Sequence, residues 1–266
     1  MPLDIGVFTT TYSICILVVV LGNASCPPSI QRCCWLACSP VRDSLTKRWQ
    51  TKRRFVRWQM RYIGALFTHQ FPLIWIDFRG IQDAFMRDKS NDYFENSRRA
   101  TYVQRQYAIA NPLGFKGYSA NCWGLTACQG PGPDTLLIDG VERQFFSYGA
   151  RGVPFGPDDG TIAPSAIVAS LPFAAEIVLP AIDYFIDELK FHDLNPYGFR
   201  TTINPTCATK PDDACGWVSP WHFGINQGPM VLMIENYRSG LLWRLMRESP
   251  DLVRGLKRAG FSGGWL

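Results

Sequence analysis

The chain has 266 residues, 47% of them hydrophobic and 18% charged, which excludes a wholly disordered polypeptide and suits one globular domain. Its net charge of +5 is concentrated in residues 47–61 (KRWQTKRRFVRWQMR), too local for a nucleic-acid footprint, so that stretch reads as a solvated face or linker. Nine cysteines show no CxxC…CxxC pairing, which argues against a zinc site, and Cys207 with Cys215 can form a disulfide only in an oxidising compartment.

Residues 12–21 (YSICILVVVL), followed by GNASC, have the layout of a signal-peptide core before a small-residue cleavage site. The run is too short to span a bilayer comfortably, and the residues before it carry Asp4 and neither Lys nor Arg. From 26 to 50, cysteine pairs and prolines replace any sustained period. Residues 1–50 are therefore expected to be an atypical leader, either a signal for periplasmic or secreted placement or a non-native start, ahead of a domain at 51–266.

Beyond that leader, apolar residues recur near helical spacing over 55–67, 93–110, 162–171, 174–189 and 230–246. Asn111-Pro112 ends one helix, Thr161 with Pro164 begins another, Pro172 interrupts, Gly228-Pro229 opens a helix, and Ser249-Pro250 separates it from a last amphipathic segment. Strand alternation is nearly absent. The expected class is all-α, built of helix pairs, with long Gly-, Pro- and Trp-rich loops at 111–132, 149–159 and 195–224; loops of that length are usually functional.

Three acidic settings stand out. Glu235 sits in the apolar run GPMVLMIENYRSGLLW, either paired with Arg238 at i+3 or desolvated by Met230, Met233 and Ile234 and so available as a general acid. Glu95 follows Tyr93 and Phe94, with Arg98 and Arg99 one turn on. Asp158 and Asp159 precede a helix, where a cap explains one of the two. Trp75, Asp77 and Arg79 in HQFPLIWIDFRG suit either a loop salt bridge between the two charges or a sugar-binding wall, the aromatic ring stacking and the charges bonding hydroxyls. Two carboxyl groups across a glycosidic bond are what hydrolysis requires. The chain has no GxSxG, Walker or Rossmann glycine pattern, and no HExxH.

The stretches HQFPLIWIDFRG, DYFENSRRAT, WGLTA, GPDDGTIAPSA, YGFR, NQGPMVLMIENYRSGLLW and AGFSGGWL, in that order, resemble the bacterial glycoamylase-like domain, whose members include endo-β-1,2-glucanases with an (α/α)6 toroid. The resemblance implies endo-hydrolysis of β-1,2-glucan by two carboxylates and a water, with inversion and without metal or organic cofactor. It places Glu95, Asp159 and Glu235 in or near the cleft. Trp75, Asp77, Arg79, Tyr93, Arg98, Trp123, Asp158, Trp217, Gln227, Tyr237 and Arg238 are the expected sugar-binding set.

A related branch, the transglycosylating domain of cyclic β-1,2-glucan synthases, carries glutamates in WGxSE and YGFxE patterns; here those places hold Ala127 and Thr201. An inactive glucan-binding relative and a truncated gene product are the alternatives to the hydrolase. About eight helices against the toroid's twelve imply an incomplete ring, whose apolar edge would favour self-association.

Overall fold

A computed structural model describes residues 64–153, 156–191, 197–208 and 214–266. The leader, the basic stretch at 47–61 and the helical pattern at 55–63 lie outside these residues. Among the described residues, eight α-helices dominate: α1 (Phe67–Trp75), α2 (Ala84–Asp88), α3 (Tyr93–Ala110), α4 (Pro164–Val168), α5 (Ala175–Asp183), α6 (Gly224–Ser239), α7 (Leu241–Arg247) and α8 (Pro250–Arg258). A π-helical turn, Tyr184–Glu188, continues α5.

Local chemistry sets the helix ends. Asp92 caps α3 by accepting the Glu95 N–H at 2.8 Å, and Asn111, left-handed at φ 42°, closes it before Pro112. Asp83 caps α2 and Ser249 caps α8, whose first residue is Pro250. The last carbonyls of α1 have no helical donors of their own. Side chains from two other helices supply them: Asn236 of α6 donates to Ile74 O at 2.8 Å and Trp243 of α7 donates to Leu73 O at 2.7 Å. These bonds lock α1 against α6 and α7, around a core that includes Trp123, Phe173, Phe185, Ile167 and Met233. The final residues strap back over the same end, with the Trp265 indole donating to Asp77 O at 2.6 Å.

The sequence expectation needs correcting in two places. Among the described residues, six short strands form three antiparallel pairs: β1 (Ala127–Gln129) with β4 (Tyr148–Ala150), β2 (Asp134–Ile138) with β3 (Val141–Phe145), and β5 (Ile203–Asn204) with β6 (Trp217–Val218). Strands of two to five residues are too short to display alternation across a window, yet one signal was present. Asp139-Gly140 both take positive φ, 49° and 77°, as a two-residue hairpin turn requires. The second correction concerns helix limits: α6 begins at Gly224 with Pro229 inside it rather than opening it, and left-handed Gly240 splits the pattern at 230–246 into α6 and α7.

Candidate functional site

A cleft of about 380 Å³ opens where α1, the β1–β4 pair, α4 and the start of α6 converge. Helix α1 contributes Phe67, Gln70 and Phe71; Thr126 and the β1 residues Ala127, Cys128 and Gln129 form one wall with Tyr148 of β4; α4 brings Ser165 and Ala166; Phe223, Ile225, Asn226 and Pro229 close the far side. Phe67 and Phe71 meet edge to face at 5.5 Å. Gln70 is held by its amide, which donates to Ala166 O at 2.7 Å and to the Ser170 hydroxyl at 2.8 Å. Asn226 donates to the Ser165 hydroxyl at 3.2 Å. Tyr148 remains 54% exposed at the cleft margin. No aspartate or glutamate is among the lining residues.

A buried ion pair stands behind the β1–β4 wall. Arg151 donates Nε to Asp159 Oδ1 at 2.5 Å and Nη2 to Oδ2 at 2.6 Å, both side chains being fully buried. The same guanidinium donates to the carbonyls of Cys128 (2.7 Å) and Phe146 (3.0 Å). Asp159 also accepts the N–H groups of Phe146 and Thr161, which fills both lone pairs of each oxygen. Burial pushes the Asp159 carboxyl up, but the Arg151 hydrogen bonds and charge outweigh this and hold it below the usual carboxylate range. Asp158 goes the other way. Burial raises it, although Tyr118 and Tyr107 donate to it at 2.6 and 3.0 Å.

The three expected catalytic carboxylates share no partner, and none lines the cleft. Asp159 is the locked anion just described. Glu95 lies at the water-facing start of α3 and pairs with Arg99 at 2.9 Å. Glu235 is not desolvated by methionines: Met230 and Met233 face the core, whereas Glu235, roughly opposite Met233 on the helix, accepts from Ser239 and Arg238 at a part-exposed position.

The expected sugar-binding set divides in the same way. Trp123 is fully buried and Asp77 is 1% exposed, so neither forms a sugar-facing wall. Burial raises Asp77, but the bidentate Arg79 bonds at 2.7 and 2.6 Å hold its carboxyl below the usual range, and Arg247 joins them. Arg79 stacks over Trp243 at 4.6 Å. Tyr93 donates to Asp83, Arg98 reaches Glu176 and Tyr102, and Gln227 donates to Phe199 O. Trp75 and Tyr237 are exposed, as is Arg238, and Trp217 lies half-buried in β6. None of the set lines the cleft, and Cys207 and Cys215 are not joined by a disulfide.

Sequence reasoning thus missed Phe67, Gln70, Phe71, Gln129, Tyr148 and Asn226 as lining residues. The signal for three of them lay in the matched stretches, Gln70 and Phe71 in HQFPLIWIDFRG and Asn226 in NQGPMVLMIENYRSGLLW, and other lining residues lie there too: Thr126 and Ala127 in WGLTA, Ser165 and Ala166 in GPDDGTIAPSA. Three of those stretches carry charged residues alongside the residues that line the cleft. Of the two places where the glucan synthases carry glutamates, Ala127 lines the cleft, while Thr201 is buried and donates to Trp221 O at 2.7 Å. Among the described residues, no group of three or more His, Cys, Asp and Glu could hold a metal ion.

A family model described as "Glycoamylase: Putative glucoamylase" matches residues 8–250. Over 190 residues the chain is 33% identical to an exo β-1,2-glucooligosaccharide sophorohydrolase (non-reducing end) of Parabacteroides distasonis, a match that covers 70% of this chain and 23% of that protein. Two solved structures resemble it over 76% of this chain and 42% of their own: a "putative glucoamylase" of Bacteroides uniformis, at 37% identity and TM-score 0.62, and an endo-β-1,2-glucanase of Chitinophaga pinensis in complex with sophorotriose and glucose, at 30% and 0.63. The chain spans about a quarter of the curated relative and about two fifths of these solved chains.

Proposed function

The chain belongs to the glycoamylase family, and from that premise we propose that its cleft binds β-1,2-linked glucan. One observation carries the reading: among the described residues, those that line the cleft combine aromatic side chains (Phe67, Phe71, Tyr148, Phe223) with the amides of Gln129 and Asn226 and include no carboxylate. A pyranose ring has apolar faces and a rim of hydroxyls, so rings pack its faces while amides donate to and accept from the rim. A volume of about 380 Å³ falls within the range for a ligand site. Two of the three named relatives carry β-1,2-glucan or β-1,2-glucooligosaccharide in their names, which supports that linkage. We take the helices as an arc of the (α/α)6 toroid that the family resemblance implies.

Hydrolysis is the second reading, supported by the hydrolase names of two relatives, one exo-acting and one endo-acting; endo-cleavage with inversion is the form of it that the family resemblance implies. It requires two carboxyl groups roughly 6.5–9.5 Å apart across the scissile bond, with a water between. Asp159 has no lone pair to spare, so the role would pass to Glu95, Glu235 or Asp158. Incubation of the purified chain with linear β-1,2-glucan separates the readings. Binding by calorimetry without new reducing ends supports the first; cleavage that Glu95→Gln or Glu235→Gln abolishes supports the second. Neither binding nor cleavage overturns both.

A further inference from the structure

We infer that Gln70 gives the cleft a hydrogen-bonding group of fixed polarity, an acceptor that only a hydroxyl of the bound sugar can satisfy. The inference rests on the reading that the cleft holds β-1,2-glucan, and it names the residue that selects a hydroxyl there. Ala166 lies in the short helix α4, whose later carbonyls need donors from outside the helix. Two side chains serve Ala166 O: Ser170 donates its hydroxyl at 2.9 Å and Gln70 donates from Nε2 at 2.7 Å. Gln70 Nε2 also donates to Ser170 Oγ at 2.8 Å, an oxygen whose own proton is already given to Ala166 O. A carbonyl oxygen cannot donate, so the Gln70 atom that faces it is the NH2. Turning the amide over would set Oε1 against Ala166 O. Ala166 and Ser170 are 1% and 0% exposed, so bulk water cannot relieve that contact.

What Gln70 has left is Oε1. Among the described residues nothing donates to it, and unlike Asn236 Oδ1 and Trp123 Nε1 it is not sealed from solvent. Gln70 lines the cleft beside Phe67 and Phe71 and is otherwise buried, so the cleft is where that oxygen can be met. The other two lining amides are not fixed in this way. Asn226 bonds the Ser165 hydroxyl, which can donate as well as accept, so that amide fits either way round. The Gln129 amide makes no hydrogen bond among the described residues and is free to turn. A free amide can offer its NH2 to fluorine and its oxygen to a hydroxyl. Gln70 can offer only the oxygen, which hydrogen leaves unmet and fluorine repels.

An NMR titration of the full 266-residue chain tests the assignment, using the β-1,2-linked glucose dimer and analogues in which each free hydroxyl in turn becomes hydrogen or fluorine. At one ring position the hydroxyl is expected to bind about tenfold more tightly than hydrogen, the cost of leaving a buried acceptor unmet, with fluorine no better than hydrogen. Gln70→Met keeps the length of the side chain, removes its amide and leaves Ala166 O with the Ser170 hydroxyl. In that variant the three sugars are expected to bind alike at this position. A panel with no such position overturns the inference and leaves the glucan reading standing, as does a hydroxyl preference that survives Gln70→Met. A native chain that does not bind the dimer overturns both. Should Gln70→Met fail to fold, the panel on the native chain decides alone.

Discussion

The loop before α4 and the first turn of α3 each carry acidic residues with an arginine partner, and they put them to opposite uses. In the loop, Asp159 and Arg151 are both fully buried, and together they fix the carbonyls of Cys128 and Phe146 and the N–H groups of Phe146 and Thr161. On α3, Glu95 and Arg99 meet in water, with 42% and 65% of their side chains exposed. Distances of 2.5 and 2.9 Å hardly distinguish the pairs. Solvent does, because water screens one and is absent from the other, so an unmatched partner is costly only in the loop.

The largest effect expected is from separating the buried pair. Asp159→Asn or Arg151→Met strands a charge or its donors inside the protein and should cost about 3–5 kcal/mol in urea denaturation. A loss under about 1 kcal/mol would show that the wall does not depend on the pair. Acid titration sharpens the contrast. A carboxyl held below its ordinary value contributes stability above about pH 4, lost as pH falls through the depressed folded value. Asp159→Asn should therefore flatten the acid limb of the stability curve. Asp158 is raised by burial, so its ionisation opposes folding, and Asp158→Asn should spare stability at neutral pH far more than Asp159→Asn does.

The cleft gives an intermediate effect. Tyr148→Ala removes a half-exposed ring that supports no core, and should weaken β-1,2-glucooligosaccharide binding by roughly 1 kcal/mol, about fivefold, in calorimetry while the melting temperature stays within error. An unchanged affinity would place the sugar elsewhere. The smallest effect belongs to α3: Glu95→Gln should cost about 0.5 kcal/mol or less, since exposed i,i+4 pairs contribute little.

The helices were legible where period and punctuation agreed. The pattern at 93–110 matches α3 to the residue, bounded by Asp92 and Asn111-Pro112, and Ser249-Pro250 opens α8 as expected. Short strands escaped because two to five residues carry no period, although Asp139-Gly140 was a turn signal in plain view. The site was less legible for a physical reason. Charge in a sequence attracts attention as chemistry, but a carboxylate flanked by arginines is equally a structural tie, and burial decides which. Asp77 and Asp159 proved to be ties, whereas the cleft took its lining from rings and amides that stand out in no composition table.

Pro229 stands five residues into α6 and has no N–H to return to the carbonyl of Ile225. The opening turn of that helix is one rung short, and side-chain bonds from Asn226 to Ser165 and from Gln227 to Phe199 help fasten it to its surroundings. Ile225, Asn226 and Pro229 all border the cleft. Deuterium should therefore enter this turn sooner than the rest of α6, by an opening that leaves the core intact, and an occupant pressing on Asn226 should slow it.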